Sequence, residues 1–281
     1  MKNTDTGSLY IVATPIGNLG DMVPRAIEVL QMVDYIAAED TRHSARLLQH
    51  FSIDTPLIAY HDYSDERRLS KLLEDLEAGQ SIALISDAGT PLISDPGYPL
   101  VNRARDLGVP VIPIPGACAL VAALSASGLP AERFVFEGFL PPKSGARKQA
   151  LAAIAKQPRT VIFYESPHRI LASLHDIQEV LGKEREVAIA RELTKTYETI
   201  LSGSIASLIE QVTSDTNQQR GEFVVMIKAL ANKPTAQLNS DVELMMSVLL
   251  TELPTKQAAS IAAKITGLKK RDLYQWALKQ E

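Results

Sequence analysis

"SIALISDAGTP", residues 81–91, is apolar from Ile82 to Ile85 and then breaks into Ser86, Asp87, Ala88 and Gly89. A short apolar run closed by turn residues reads as a strand buried on both faces that delivers an acid at its carboxyl end. The pattern recurs outward along the chain. "LYIVA" (9–13) leads into Thr14, Pro15, Ile16 and Gly17; Tyr35 to Ala38 ends in "EDTR" (39–42); "VPVIPIPGA" runs into Pro115 and Gly116. Four strands thus empty into four short loops rich in Gly, Pro or acid. Between them, 26–34, about 65–78 and 117–127 carry apolar residues at helical spacing. This alternation predicts an α/β fold, with a mostly parallel sheet covered on both faces. Ligands of such sheets sit beyond the carboxyl ends of the strands, where loops carry groups that the core cannot.

After Gly128 and Pro130 a second α/β layer begins. Its strand candidates are 134–140, 160–164, 186–190 and 223–227, and a mixed sheet is expected. Residues 8–128 and 129–230 are therefore read as two α/β domains and 231–240 as a polar linker. Residues 241–281 read as a small all-helical extension. In that extension Ala258, Ala259, Ile261 and Ala262 share one face, Thr266 and Gly267 mark a turn, and Leu268, Leu273, Tyr274 and Trp276 follow, a helix-turn-helix pattern. A packing appendage or dimer contact fits the same pattern.

Composition narrows the chemistry. The single Cys118 allows no internal disulfide, and five scattered histidines lack metal-ligand spacing, so no metal is expected. No stretch is long and apolar enough for a membrane span or a targeting segment, which predicts a soluble, cytoplasmic protein. The net charge of -4 argues against indiscriminate binding to DNA, yet it is uneven: six bases against two acids in 255–281 give +4 there and leave -8 elsewhere. A second acid-free patch at 141–159 holds Lys143, Arg147, Lys148, Lys156 and Arg159.

"TPIGNLG" is neither a GxGxxG fingerprint nor a P-loop, so dinucleotide and triphosphate readings lose support. Pro15 and Gly17 suit a tight turn, ligand-facing or purely structural. Asp87 stands where a strand meets solvent and suits a ligand contact; an Asx turn or helix cap is the alternative. Asp95, followed by Pro96, reads as a helix cap. Asp40 and Arg42 suit either a cap with an internal ion pair or a share in the same cleft. Glu165, Arg191, Glu192 and Lys195 would line the opposite wall if the second domain folds over the first. His43 and His168 are ambiguous, His50, His61 and His175 have no partner in the sequence, and Cys118 reads as an inert, buried thiol.

Taken together, "LYIVATPIGNLGD", "AAEDTRHS", "LISDAGTPLISDPG", "PIPGACAL", "FEGFLPPK", "FYESPHR" and "ARELTKTYET" resemble the ribosomal-RNA-methylating group of the tetrapyrrole methylase superfamily over about residues 8–230. The tail resembles the extra C-terminal domain of that group. The resemblance implies class III methyltransferase architecture, with S-adenosyl-L-methionine in a cleft between two α/β domains, usually of a homodimer. It further implies 2'-O-methylation of a cytidine ribose in 16S rRNA, at the decoding centre of the small ribosomal subunit. Pro15, Gly17, Asp87, Pro115 and Gly116 match the family's cofactor loops, with Ala88, Gly89 and Tyr164 beside them. Asp40, Arg42, Glu165, Arg191, Glu192 and Lys195 are then the catalytic candidates. Lys143, Arg147, Lys148, Lys269, Lys270 and Arg271 become candidates for gripping RNA. "TPIGN" and "SDAGTP" depart from the glycine-richer loop and the Gly-Asp-Pro of tetrapyrrole enzymes. A methyltransferase of a tetrapyrrole or other small molecule, and a noncatalytic RNA-binding assembly factor, are the alternative functions.

Overall fold

A computed structural model of the protein describes residues 6–61, 66–230 and 240–279. The chain divides into two compact units, Met1–Ala229 and Leu230–Glu281.

The first unit opens with β1 (Leu9–Val12), α1 (Pro24–Met32), β2 (Tyr35–Ala38), α2 (Thr41–His50), β3 (Leu57–Ala59), α3 (Glu66–Glu77), β4 (Ile82–Ile85), α4 (Tyr98–Asp106), β5 (Val111–Ile114) and α5 (Ala119–Ala126). Its five strands pair in parallel in the order β3-β2-β4-β1-β5. Because their strands are apolar throughout, β1 and β4 are buried on both faces. Val12, Leu30, Ile36 and Leu48 pack on one side, and Leu9, Leu72, Leu84 and Leu100 on the other. The edge strand β3 adds to the four strands visible in the sequence; three half-buried residues are too few to show a period. From β1 the chain crosses to β2 on one side, and from β4 to β5 on the other. The central pair β1 and β4 is therefore a topological switch point, where loops leave in opposite directions and open a crevice.

The unit continues with β6 (Phe134–Phe139), α6 (Ser144–Ile154), β7 (Thr160–Glu165), α7 (Ile170–Leu181), β8 (Glu186–Arg191), β9 (Thr199–Ser204), α8 (Ile205–Ser214) and β10 (Phe223–Ile227). This sheet, ordered β6-β7-β10-β8-β9, is mixed: β6 runs parallel to β7, and the remaining pairs are antiparallel. One face is covered by α6, α7 and α8 through Leu151, Leu174, Ile177 and Leu208. The other face, with Ile162, Ala188, Ala190, Val224 and Met226, closes on Leu120, Ala123 and Leu124 of α5 and on Ile16. The sequence "ALVAALSA" is apolar on nearly every side, as a helix shared by two layers must be. Each large side chain buried there contributes about 1.5–3 kcal/mol, and this shared core joins the two sheets.

The second unit consists of α9 (Ser240–Glu252), α10 (Thr255–Thr266) and α11 (Lys270–Ala277) around Met246, Ala259, Ala262 and Leu273. Gly267 ends α10 at φ 73°, the left-handed cap that a glycine adopts freely. Residues 231–239 of the expected linker lie outside the described residues, and Ser240 opens α9 instead. Among the described residues, no helix is long and apolar enough to cross a membrane.

Candidate functional site

At the switch point the loops after β1 and β4 are tied together. Thr14 and Gly89 exchange backbone hydrogen bonds of 2.9 and 3.0 Å, and the buried Thr14 hydroxyl donates to the Ser86 carbonyl at 3.2 Å. The chain breaks after Ala13 because Thr14 bridges to the neighbouring loop and Ile16 turns down into the second sheet.

Two adjoining cavities flank this knot. The first, about 320 Å³, is walled by Ala88, Gly89, Ile93 and Asp95 from one half, and by Tyr164, Leu193 and Phe223 from the other. The second, a trough of about 340 Å³, is lined by Pro15, Gly17, His43, Arg46, Asp87 and Lys195. Ile16, Ala88 and Glu222 belong to both. Strained backbone shapes the first cavity on both sides. Leu92 (φ 73°) and Ser94 (φ 65°) bracket Ile93, and Glu192 (φ 50°) and Thr194 (φ 65°) bracket Leu193. Non-glycine residues in this region cost about 1–3 kcal/mol each and gather at ligand clamps.

Asp95 corrects the sequence expectation. It does not cap α4, whose N-cap is Gly97, but sits half-buried on the wall of the first cavity. Burial, reinforced by the charges of Glu39 and Asp87 and opposed by the Ser86 hydroxyl, pushes its carboxyl up to about 6. The Tyr164 phenol is pushed up to about 12, first by burial and then by Cys118 and Asp95. Its ring packs edge-on against Phe136 and Phe139, with centroids 4.8 and 5.7 Å away. Cys118 is half-buried and lines the same cavity, so it is less secluded than expected.

The other sequence candidates divide sharply. Asp87 accepts the Asp40 N–H at 3.1 Å, coupling the loops after β2 and β4, and also faces the trough. Asp40 is the N-cap of α2 and accepts the Arg42 and His43 amides at 2.8 and 3.4 Å. The Arg42 backbone N–H, followed by its guanidinium, holds the Asp40 carboxyl below the usual range, which makes it a poor proton acceptor. Neither Asp40 nor Arg42 lines either cavity.

Glu165 reaches the first cavity, but its carboxylate is buried and saturated by Arg169 (2.7 Å), the Ser173 hydroxyl (2.6 Å) and the Ser166 amide (2.8 Å). Arg191 is buried too, and it donates to the carbonyls of Arg220 and Tyr197 at 2.7 and 3.1 Å. Both side chains are committed to partners within the fold. Pro115 and Gly116 line neither cavity. A side chain on Gly116 would meet the Ala13 Cβ at 2.8 Å, so this turn packs against the end of β1 and the wall starts two residues later, at Cys118 and Ala119.

Lys195 crosses from the second half to the first. Its ammonium donates to Glu192 and Glu222, each at 2.9 Å, and its stem covers Gly17. Burial lowers the Lys195 pKa, but the bonds to Glu192 and Glu222 outweigh it and the net direction is upward. Gly17 has φ 150°, and a Cβ there would lie 2.5 Å from the Lys195 Cγ. Gly17→Ala is expected to destabilise the protein by about 1–3 kcal/mol. Calorimetric melting of the variant, alone and combined with Lys195→Ala, separates backbone strain from the clash, since only the clash is relieved in the double variant.

Of the cations expected on RNA, Lys143, Lys269, Lys270 and Arg271 are exposed. Arg147 is not: it is buried, and its guanidinium grips Asp176 at 2.6 and 2.7 Å and the carbonyls of Pro141 and Pro142. Turning outward would break both bonds to Asp176 and leave that buried carboxylate only the Ser144 hydroxyl at 3.0 Å and Lys148 at 3.7 Å. Lys148 pairs with Glu179 at 2.6 Å. The sequence missed Asp95, Glu222, Arg46 and the apolar wall residues Ile93 and Leu193. Asp95 shares the loop of Asp87 and Glu222 immediately precedes β10, so position beside a strand end was the available signal.

The family pattern for Tetrapyrrole (Corrin/Porphyrin) Methylases matches residues 8–209, and that for the RsmI C-terminal HTH domain matches residues 236–281. "Ribosomal RNA small subunit methyltransferase I" of Pseudomonas aeruginosa is 53% identical over 98% of each chain. The protein of the same name from Vibrio cholerae is 54% identical over 96% of this chain and 94% of its own. Among solved structures, diphthine synthase superposes with a TM-score of 0.61 at 14% identity, covering 79% of this chain and 90% of its own. A cobalt precorrin-4 methyltransferase superposes with a TM-score of 0.57 at 15% identity, covering 79% and 94%. The chain belongs to the tetrapyrrole methylase family and, within it, groups with the ribosomal RNA small subunit methyltransferase I proteins.

Proposed function

We propose that the protein transfers the methyl group of S-adenosyl-L-methionine to the 2'-oxygen of a cytidine ribose in 16S rRNA, at the decoding centre of the small ribosomal subunit. The observation that supports this reading most is the pair of contiguous cavities at the switch point, one apolar with acids on its wall, the other carrying Asp87, Lys195 and the His43 and Arg46 side chains of α2. The first suits the cofactor. Its volume falls within the range of small-molecule sites, its apolar walls suit an adenine ring, and Asp95 and Glu222 suit a ligand bearing cationic sulfonium and ammonium groups. When bound, the cofactor supplies an electrophilic methyl group.

The chain's own residues supply position and proton handling. Tyr164, Phe139, Ile93 and Leu193 exclude water from the cofactor side. Across the shared wall of Ile16 and Ala88, Asp87 presents a carboxylate to the trough, where it can hold a ribose hydroxyl and take its proton as the oxygen attacks. Alignment of that oxygen is the first demand of the reaction, and a placed base contributes about 10²–10⁴ in rate. The exposed cations Lys269, Lys270 and Arg271 give the helical unit a basic edge for rRNA. The reading includes the division 8–128, 129–230 and 241–281, and a cytoplasmic homodimer acting on the subunit.

The test is transfer of labelled methyl from the cofactor to isolated small ribosomal subunits, followed by nucleoside mapping. Label is expected in 2'-O-methylcytidine. Label on a base, or none on RNA while a tetrapyrrole is methylated, overturns the reading.

A further inference from the structure

Helix α2 has the sequence "TRHSARLLQH" and no acidic residue. Arg42 and Arg46 stand four apart, so two like charges share one face, an arrangement that disfavours an isolated helix. Arg42 touches only Asp40, at 3.4 Å with 91% of its side chain exposed, a contact worth little in water. The side chains of His43 and Arg46 line the trough and have no hydrogen-bond or ion-pair partner among the described residues. Opposite them lie Asp87 on the trough floor and Lys195, held between Glu192 and Glu222. The trough is therefore lined by the unpaired basic side chains of His43 and Arg46 and by the carboxylates of Asp87 and Glu222. A nucleotide in a polynucleotide chain has the matching polarity: an anionic phosphodiester beside sugar hydroxyls that donate to a carboxylate.

We propose that the face of α2 carrying Arg42, His43 and Arg46 is a phosphodiester-binding rim that seats single-stranded RNA, with the sugar of one nucleotide directed at Asp87. The inference rests on the reading above for its substrate class and deepens it, because it moves the grip on RNA beside the cavities from the 143–148 patch to α2. Arg147 is buried and Lys148 paired, whereas Arg42, His43 and Arg46 are exposed, and His43 and Arg46 line the trough that shares Ile16 and Ala88 with the first cavity. A charge-assisted contact from each arginine fixes the phosphates without reading the base.

The test uses the full-length protein and a short, fluorescently labelled single-stranded RNA, titrated by anisotropy over a range of salt. Arg42→Ala/Arg46→Ala is expected to weaken binding about tenfold or more. It should also reduce the slope of log affinity against log salt by about 1.4, at about 0.7 per lost phosphate contact. Arg46→Glu should weaken binding further. Melting temperature and S-adenosylmethionine affinity should stay at native values, since these side chains are exposed and outside the cofactor cavity. Unchanged affinity and slope in the double variant, or no RNA binding by the native protein, overturns the rim; so does an equal loss in Lys143→Ala/Lys148→Ala with none in the α2 variants. Methyl transfer to small subunits, measured in parallel, separates the two claims. Transfer unaffected by the α2 variants sinks the rim and leaves the reaction standing. RNA binding through α2 without any methyl transfer sinks the reaction and leaves the rim.

Discussion

Asp95→Asn is expected to weaken S-adenosylmethionine binding about tenfold to a hundredfold, the range of one lost charge-assisted hydrogen bond in a half-buried site. The pH dependence carries the sharper signature. In the folded protein the Asp95 carboxyl is raised from the ordinary 3.8 to about 6, chiefly by burial. Below about pH 6 the neutral acid is therefore the favoured form, and a cationic ligand must draw the ionised one. Affinity of the native protein should therefore climb as pH rises through about 6 and level off above it, with about a tenfold difference between pH 5 and pH 7. Stability runs the opposite way. A carboxyl with a raised folded pKa favours the fold below its unfolded value, and that contribution is lost as pH rises from 3.8 toward 6. Asn removes both trends at once. Calorimetric titration with the cofactor across this window, with melting curves on the same samples, checks the pair. Variant affinity within twofold of native at every pH would place the cofactor's cations elsewhere.

Arg147→Ala should cost about 3–5 kcal/mol of stability while leaving RNA affinity and its salt slope unchanged. The guanidinium is buried and fastens α6 to α7 through Asp176, with two further bonds to the Pro141 and Pro142 carbonyls. Removing it leaves the buried Asp176 carboxylate only the Ser144 hydroxyl at 3.0 Å and the longer Lys148 pair at 3.7 Å, and that penalty dominates the loss. The double replacement of Arg147 and Asp176 by apolar residues of similar bulk should recover most of it, because no uncompensated charge remains. Chemical denaturation gives the stability difference. A variant that unfolds normally but binds RNA several times more weakly would return Arg147 to the RNA-facing surface.

Periodicity carried the architecture far. The apolar runs of β1, β2 and β4 and the loops that end them are visible in the sequence, because a strand buried on both faces admits nothing polar until it emerges; β5, at the sheet edge, is visible through its run of Val, Ile and Pro. The edge strands β3 and β9 were not visible: β3 is too short to show a period, and the half-exposed β9 carries Thr, Ser and Gly and loses the contrast on which pattern reading depends. The site was legible as a location more than as a set of roles. Asp87, Gly17, Lys195 and Tyr164 do converge on the two cavities, but Glu165, Arg191 and Arg147 resemble them in sequence and are consumed by the fold. Only the partners of a charged side chain separate a free group from a spent one, and those partners lie 29 to 32 residues away for Arg147 with Asp176, Arg191 with Arg220, and Ser144 with Asp176. Asp95 was hidden for another reason. The Pro96 beside it mimics a helix start, whereas α4 begins at Tyr98.

The helix α5 also limits how a guest can enter. Parting the two sheets like the covers of a book would peel Leu120, Leu124 and Ile16 off the second sheet and expose them to water, at about 1.5–3 kcal/mol for each large side chain. A guest should instead enter beside the 92–95 and 192–195 segments, whose left-handed residues flank the first cavity. In the first unit α5 thus acts as a fixed spine, and the rate at which a guest exchanges with solvent should answer to substitutions in these two segments and not to those in the spine.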